Sequence, residues 1–177
     1  MPFSGSEVKE RPNHPFRTGL REPTSAKRLQ YTDGSYRVWH RLKPWPDSVA
    51  GLTRLKKPYT IAPLSNGNVA LFTAMAKAKG AGIPWDLILS AELARHYKPD
   101  HEAYLTAVSL LELKPEEVMM CAAHSTDPIA ARDCGLRTGF IHRPDEFGSM
   151  RRADEANPGD FDVVSSDMLD FASKLGA

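Results

Sequence analysis

From residue 47 to the C-terminus, short apolar runs alternate with stretches whose apolar residues recur at helical spacing. Asp47 stands where it would cap a helix running through Leu55. Tyr59–Leu64 predicts a short strand, punctuated by Ser65-Asn66-Gly67-Asn68. Val69–Lys79 predicts a helix that stops at Gly80, and Trp85–Leu89 a second strand. Asp100–Leu113 carries apolar residues at 104, 105, 108, 111 and 113, the pattern of a helix packed on one face. Val118–Ala123 is apolar throughout, as a strand covered on both faces would be. Asp127–Cys134 reads as a helix ending at Gly135, Thr138–Ile141 and Asp162–Val164 as strands, and Met168–Leu175 as a last helix. The alternation predicts an α/β fold: a three-layer, Rossmann-like parallel sheet with right-handed crossovers and helices on both faces.

The first 37 residues stand apart. Residues 1–28 are rich in Pro, Arg, Ser, Thr and Gly, lack apolar periodicity and are expected to be disordered. Between Arg28 and Trp39 two readings stay open: two short strands around an Asp33-Gly34 turn, or the end of a helix running through Val38-Trp39-His40-Arg41-Leu42. Lys43-Pro44-Trp45-Pro46-Asp47 is a rigid connector. The expected organisation is a basic segment 1–37 followed by one domain, 38–177.

Net charge is +1, yet residues 1–57 hold 12 Lys/Arg against 5 Asp/Glu, and the remainder 11 against 17. The basic residues are dispersed among prolines, which argues against a nucleic-acid arm. The chain shows no apolar run of membrane-spanning length and no secretory leader, so no membrane partner and a cytoplasmic location are expected. Cys121 and Cys134 match no metal or redox spacing and are expected to be reduced core thiols.

Ligands in open parallel sheets bind beyond the carboxyl ends of the strands, and three polar clusters follow three predicted strands. Leu64-Ser65-Asn66-Gly67 offers a hydroxyl, an amide and free N–H groups at a helix start, suited to an anion; a simple capped turn explains it equally. Tyr97-Lys98-Pro99-Asp100 holds a lysine beside a proline, able to pair with a buried carboxylate or to be a surface lysine. Ala122-Ala123-His124-Ser125-Thr126-Asp127 sets a carboxylate after a buried strand, as a reacting group or a helix cap.

The order Leu-Ser-Asn-Gly, Tyr-Lys-Pro-Asp, strand-plus-Asp, then Gly135-Leu136-Arg137-Thr138, resembles the haloacid dehalogenase superfamily, and within it the type II 2-haloacid dehalogenases. Trp45-Pro46-Asp47 and His142-Arg143-Pro144 belong to the same resemblance. It implies a hydrolase acting on short 2-haloacids without a metal or other cofactor, in which an aspartate displaces halide and the resulting ester is hydrolysed. It gives Ser65 and Asn66 the substrate carboxylate, Lys98 the nucleophile as partner, Tyr104 a place in the pocket, and Asp127 the positioning of water. Relatives are often dimers through helical surfaces, which makes a homodimer one implied arrangement.

Two departures from the pattern bear on chemistry. Ala122 and His124 stand where the family usually carries Ser and Asn, five and three positions before Asp127, and His124 is a candidate replacement donor or base in the substrate site. No apolar strand ending in Asp precedes residue 59, and Asp33 follows a polar segment. In the family fold that strand is central, between those ending near Leu64 and Ala123. The core is therefore expected to be incomplete at its N-terminal strand, and the chain inactive alone. Two further readings remain: a magnesium-dependent phosphatase of the same superfamily, and a non-catalytic domain that binds small anions.

Overall fold

The computed structural model describes residues 42–77 and 82–177. These fall in one compact unit, Asp33–Ala177. The expectations for residues 1–28, for Arg28–Trp39, for Asp33 and for a stop at Gly80 lie outside the described residues.

Five strands and six helices follow in order: α1 (Ser48–Leu55), β1 (Leu64–Ser65), α2 (Val69–Lys77), β2 (Leu89–Ser90), α3 (Ala91–Ala94), α4 (His101–Leu110), β3 (Met119–Ala122), α5 (Thr126–Asp133), β4 (Arg137–Ile141), β5 (Val163–Ser165) and α6 (Met168–Lys174). Among the described residues every strand pairing is parallel, with β1 beside β2 and β3-β4-β5 in a second sheet. Among the described residues no ladder joins β1 to β3. Leu64 nevertheless packs on the cluster that holds Tyr104, Val108, Met120, Ala131 and Leu136, so both sheets share a core.

Successive strand residues point to opposite faces, and β3 demonstrates the layering. Met119 packs with Leu52, Leu55, Ile141 and Phe171 under α1 and α6, whereas Met120 enters the Tyr104 cluster under α4 and α5. Helices thus cover both faces, as the alternation in the sequence predicts. No helix among the described residues is long and apolar enough to cross a membrane.

Several local expectations change. The strands foreseen at Tyr59–Leu64 and Trp85–Leu89 shrink to Leu64–Ser65 and Leu89–Ser90. Pro63 and Pro84 lack the N–H that a ladder requires, so the approach is held by scattered bonds such as Asp86 N–H to Ile61 C=O, 2.9 Å. The fourth helix ends early: Leu111 caps it and Glu112 turns at φ 54°, leaving Leu113 beyond it and exposed; Leu105, within the helix, faces outward as well. Val118–Ala123 narrows to Met119–Ala122 and is not covered throughout, because among the described residues β3 pairs only with β4; Cys121 lies on that open side, whereas Cys134 is half-buried against the Tyr104 cluster. Helix α2 is apolar through Val69, Leu71, Phe72 and Met75, yet none of its residues is buried. The last strand is Val163–Ser165, and Asp162 accepts instead from the Thr138 N–H at 2.7 Å and hydroxyl at 2.8 Å.

Asp47 does not cap α1 with its side chain. Its two oxygens receive the Arg143 guanidinium at 3.0 and 2.8 Å, and one of them also takes the Met168 N–H at the start of α6, 2.7 Å. Arg143 lies 5.2 Å from the centroid of the Trp45 ring. Here α1 and α6 approach closely: a Cβ on Gly51 would meet the Met168 carbonyl oxygen at 2.7 Å. Backbone cannot yield as a side-chain tip would, so Gly51→Ala should cost about 1–3 kcal/mol in urea unfolding. An unchanged midpoint would show that the two helices are free to separate.

Candidate functional site

The three polar clusters meet at the carboxyl ends of the strands. The Asn66 side chain, just beyond β1, binds the backbone of Lys98 from both ends: its Oδ1 accepts the Lys98 N–H at 2.7 Å and its Nδ2 donates to the Lys98 C=O at 3.2 Å. Lys98 precedes Pro99 through a cis peptide bond. Its ammonium donates to Oδ2 of Asp127 at the start of α5, while the Tyr104 hydroxyl donates to Oδ1 at 2.7 Å. The Lys98 and Asp127 side chains are 15% and 17% exposed, and Tyr104 is buried. A single carboxylate therefore accepts from an ammonium and a phenol in a mostly desolvated setting, where such bonds are strong. Burial, reinforced by the bond to Asp127, pushes the Tyr104 phenol well above its ordinary range, so it stays a donor.

The helix start after β1 offers less than its sequence suggests. The Gly67 N–H donates to Ser65 Oγ at 3.2 Å, the Val69 N–H to Glu92 Oε2 at 3.1 Å, and the Leu71 N–H to Asn68 Oδ1 at 2.8 Å. These amides are already engaged, so what remains at this corner for an incoming anion is chiefly the half-buried Ser65 hydroxyl, which donates to no group among the described residues. Asn66, expected to hold substrate, also fixes the Lys98 backbone.

His124 lies on the turn between β3 and α5, with its Nε2 3.0 Å from both Glu146 oxygens. Ser125 gives its N–H and its hydroxyl to Asp154 Oδ2 at 2.8 and 2.7 Å. Glu146 and Asp154 were not singled out from the sequence. The available signal was positional: both lie in the loop beyond the carboxyl end of β4, the same rim that supplies the other clusters. An open cavity of about 550 Å³ borders that loop, lined by His142, Arg151 and Asp154 among others, and shares none of Ser65, Lys98, Tyr104 or Asp127.

Comparison with known proteins identifies the fold and the family. The L-2-haloacid dehalogenase PA0810 superposes with a TM-score of 0.73 at 52% identity, covering 77% of this chain and 60% of that one. The defluorinating L-2-haloacid dehalogenase Rha0230 gives 0.75 at 50% identity, covering 80% and 57%. The (S)-2-haloacid dehalogenase 1 of Pseudomonas sp. (strain CBS-3) is 32% identical over 126 residues, 67% of this chain and 56% of that protein. A probable phosphatase, IndB of Dickeya dadantii (strain 3937), is 31% identical over 108 residues, 58% of this chain and 47% of that protein. The chain spans roughly half the length of the curated relatives it matches. The family model for haloacid dehalogenase-like hydrolases matches residues 6–135, and the chain belongs to that family.

Proposed function

We propose that this chain carries the binding and second-carboxylate half of a hydrolase that removes halide from short 2-haloalkanoic acids, and that an aspartate from outside residues 42–177 supplies the nucleophile. The observation that carries the reading is the Lys98–Asp127–Tyr104 cluster at the strand rim. In the reaction, the aspartate attacks C2 of the substrate and the carbon–halogen electron pair leaves with the halide, giving an aspartyl ester. Water then adds to the ester carbonyl, releasing a 2-hydroxy acid and restoring the aspartate. The Lys98 ammonium offsets negative charge through both steps, Asp127 orients the water, and the Ser65 hydroxyl contacts the substrate carboxylate.

Among the described residues β1 pairs only with β2 and β3 only with β4; these edges, the half-buried apolar face of α2 and the exposed Cys121 support the second part of the reading. One further parallel strand would pair both edges and cover these groups. A strand there ends at the same rim as its neighbours and brings its last side chain to Lys98.

The test is halide release from 2-chloropropionate by this chain alone and by the chain complemented with an apolar strand ending in Asp. Release only after complementation is expected. A complemented protein that releases no halide sinks the substrate assignment, and one that instead hydrolyses p-nitrophenyl phosphate with magnesium stimulation replaces it with the phosphatase reading.

A further inference from the structure

The loop after β4 holds two acidic side chains to which the chemistry above gives no task. Glu146 presents both oxygens to the His124 Nε2, each at 3.0 Å. Asp154 uses one oxygen for both the N–H and the hydroxyl of Ser125, at 2.8 and 2.7 Å. The His124 ring stacks on Phe147, centroids 6.1 Å and planes 14° apart, and the Arg151 guanidinium sits 4.0 Å from the centroid of that phenyl ring. Two consecutive residues of one turn are thus gripped by two acids of one loop.

What the turn's backbone does gives the grip its meaning. The His124 carbonyl accepts the Asp127 N–H at 3.2 Å, and the Ser125 carbonyl accepts the Ile129 N–H at 3.2 Å. These bonds begin α5, the helix that carries Asp127. Ser125 occupies the cap position but its side chain makes no capping bond, having been given to Asp154. The start of α5 is therefore oriented from outside the helix.

We propose that Glu146 and Asp154 are positioning residues, a two-point clamp that fixes the turn at His124 and Ser125 and through it seats the Asp127 carboxylate on Lys98 and Tyr104. His124 is the handle of this clamp and not a substrate ligand. A carboxylate only accepts, so the nitrogen facing Glu146 carries a proton, and that nitrogen is committed to the clamp. The charged groups around the ring are Glu146, Arg151 across Phe147, and Asp154 beside Ser125. The Ser125 hydrogen bonds, aided by the charges of His124 and Arg151, hold the Asp154 carboxyl below the ordinary range. That arm is intact above the unfolded carboxylate value and opens as pH falls through the lowered one. The catalytic meaning of the clamp rests on the dehalogenase reading; its geometry does not.

Isotope-labelled full-length chain separates the two by NMR. In Glu146→Ala, and in Asp154→Ala, which removes both bonds to Ser125, amide exchange at Asp127 should accelerate by about tenfold or more. The Tyr104 Cζ resonance, which senses whether its hydroxyl donates to Asp127, should move with it. Asp154→Asn keeps an acceptor and should restore part of both signals, which a merely filled space would not. Ser125→Ala removes one bond of the pair and serves as the milder variant if Asp154→Ala does not fold. Variants in which the Ser125 and His124 signals change while Asp127 exchange and Tyr104 Cζ stay at their wild-type values overturn the clamp. None of these readings requires halide release, so failure of the dehalogenase assay removes the chemistry and leaves the clamp standing.

Discussion

Asp127→Ala is expected to lower the unfolding free energy by about 3 kcal/mol, because it breaks a mostly buried ion pair from one side. The Lys98 and Asp127 side chains are 15% and 17% exposed, so solvent screens the pair little. Removing the carboxylate leaves the ammonium and the buried Tyr104 hydroxyl without their shared acceptor. For a chain of this size the loss corresponds to roughly 6–12 °C in thermal midpoint. Lys98→Met should cost less, about 2 kcal/mol, because the carboxylate keeps the tyrosine bond. The double variant Lys98→Met/Asp127→Leu should recover part of the deficit, since neither charge is then stranded. Equal midpoints for wild type and Asp127→Ala would mean the pair is no more than a surface contact. In a complemented protein the same substitution should abolish halide release.

Asp47→Ala should be comparably damaging, about 3 kcal/mol. It strips the Arg143 guanidinium, 11% exposed, of both hydrogen bonds and leaves the first amide of α6 unsatisfied. Arg143 also begins the loop that carries Glu146 and Asp154, so the damage should extend to amide exchange in residues 143–155. Burial alone would raise the Asp47 carboxyl, but the bonds from Arg143 and Met168 outweigh it and hold the group below its ordinary range. A carboxylate lowered in the folded state stabilises fully above its unfolded value of about 3.9, and that contribution is lost as pH falls through the lowered folded value. Asp162 and Asp170, lowered by Thr138 and by Lys174 respectively, act in the same window. Thermal midpoints should therefore be level from neutrality to about pH 5 and fall steeply below 4, with a shallower fall in Asp47→Ala. Parallel curves for the two proteins would remove Asp47 from the acid transition.

Much of this fold is legible in the residue pattern. Short apolar runs and helical spacing place all five strands and most helices of the described residues within a few residues, and Gly135, at φ 86°, ends α5 where the sequence stops it. Strand extent is less legible, because a ladder depends on partners. The segments before Leu64 and Leu89 read as strands, but Pro63 cannot donate to a ladder, and the pairing shortens to two residues each. The short helix Ala91–Ala94 escaped because its first turn is stabilised by Ser90, whose preceding residues read as strand.

The sequence by itself determined which chemical groups reach the rim: Ser65, Lys98 and Asp127 each follow a predicted strand, and parallel strands end on one side. Only the tertiary structure decided what those groups do to one another. Asn66 braces the backbone of Lys98, 32 residues away, a contact that its place beside Ser65 in the sequence does not announce. Asp47 turns from helix cap to ion-pair partner because Arg143, 96 residues on, arrives with a better-matched pair of donors. Local spacing encodes the direction of the chain and the face a side chain takes, whereas hydrogen-bond partners so distant in sequence are chosen only when packing brings them within 3 Å.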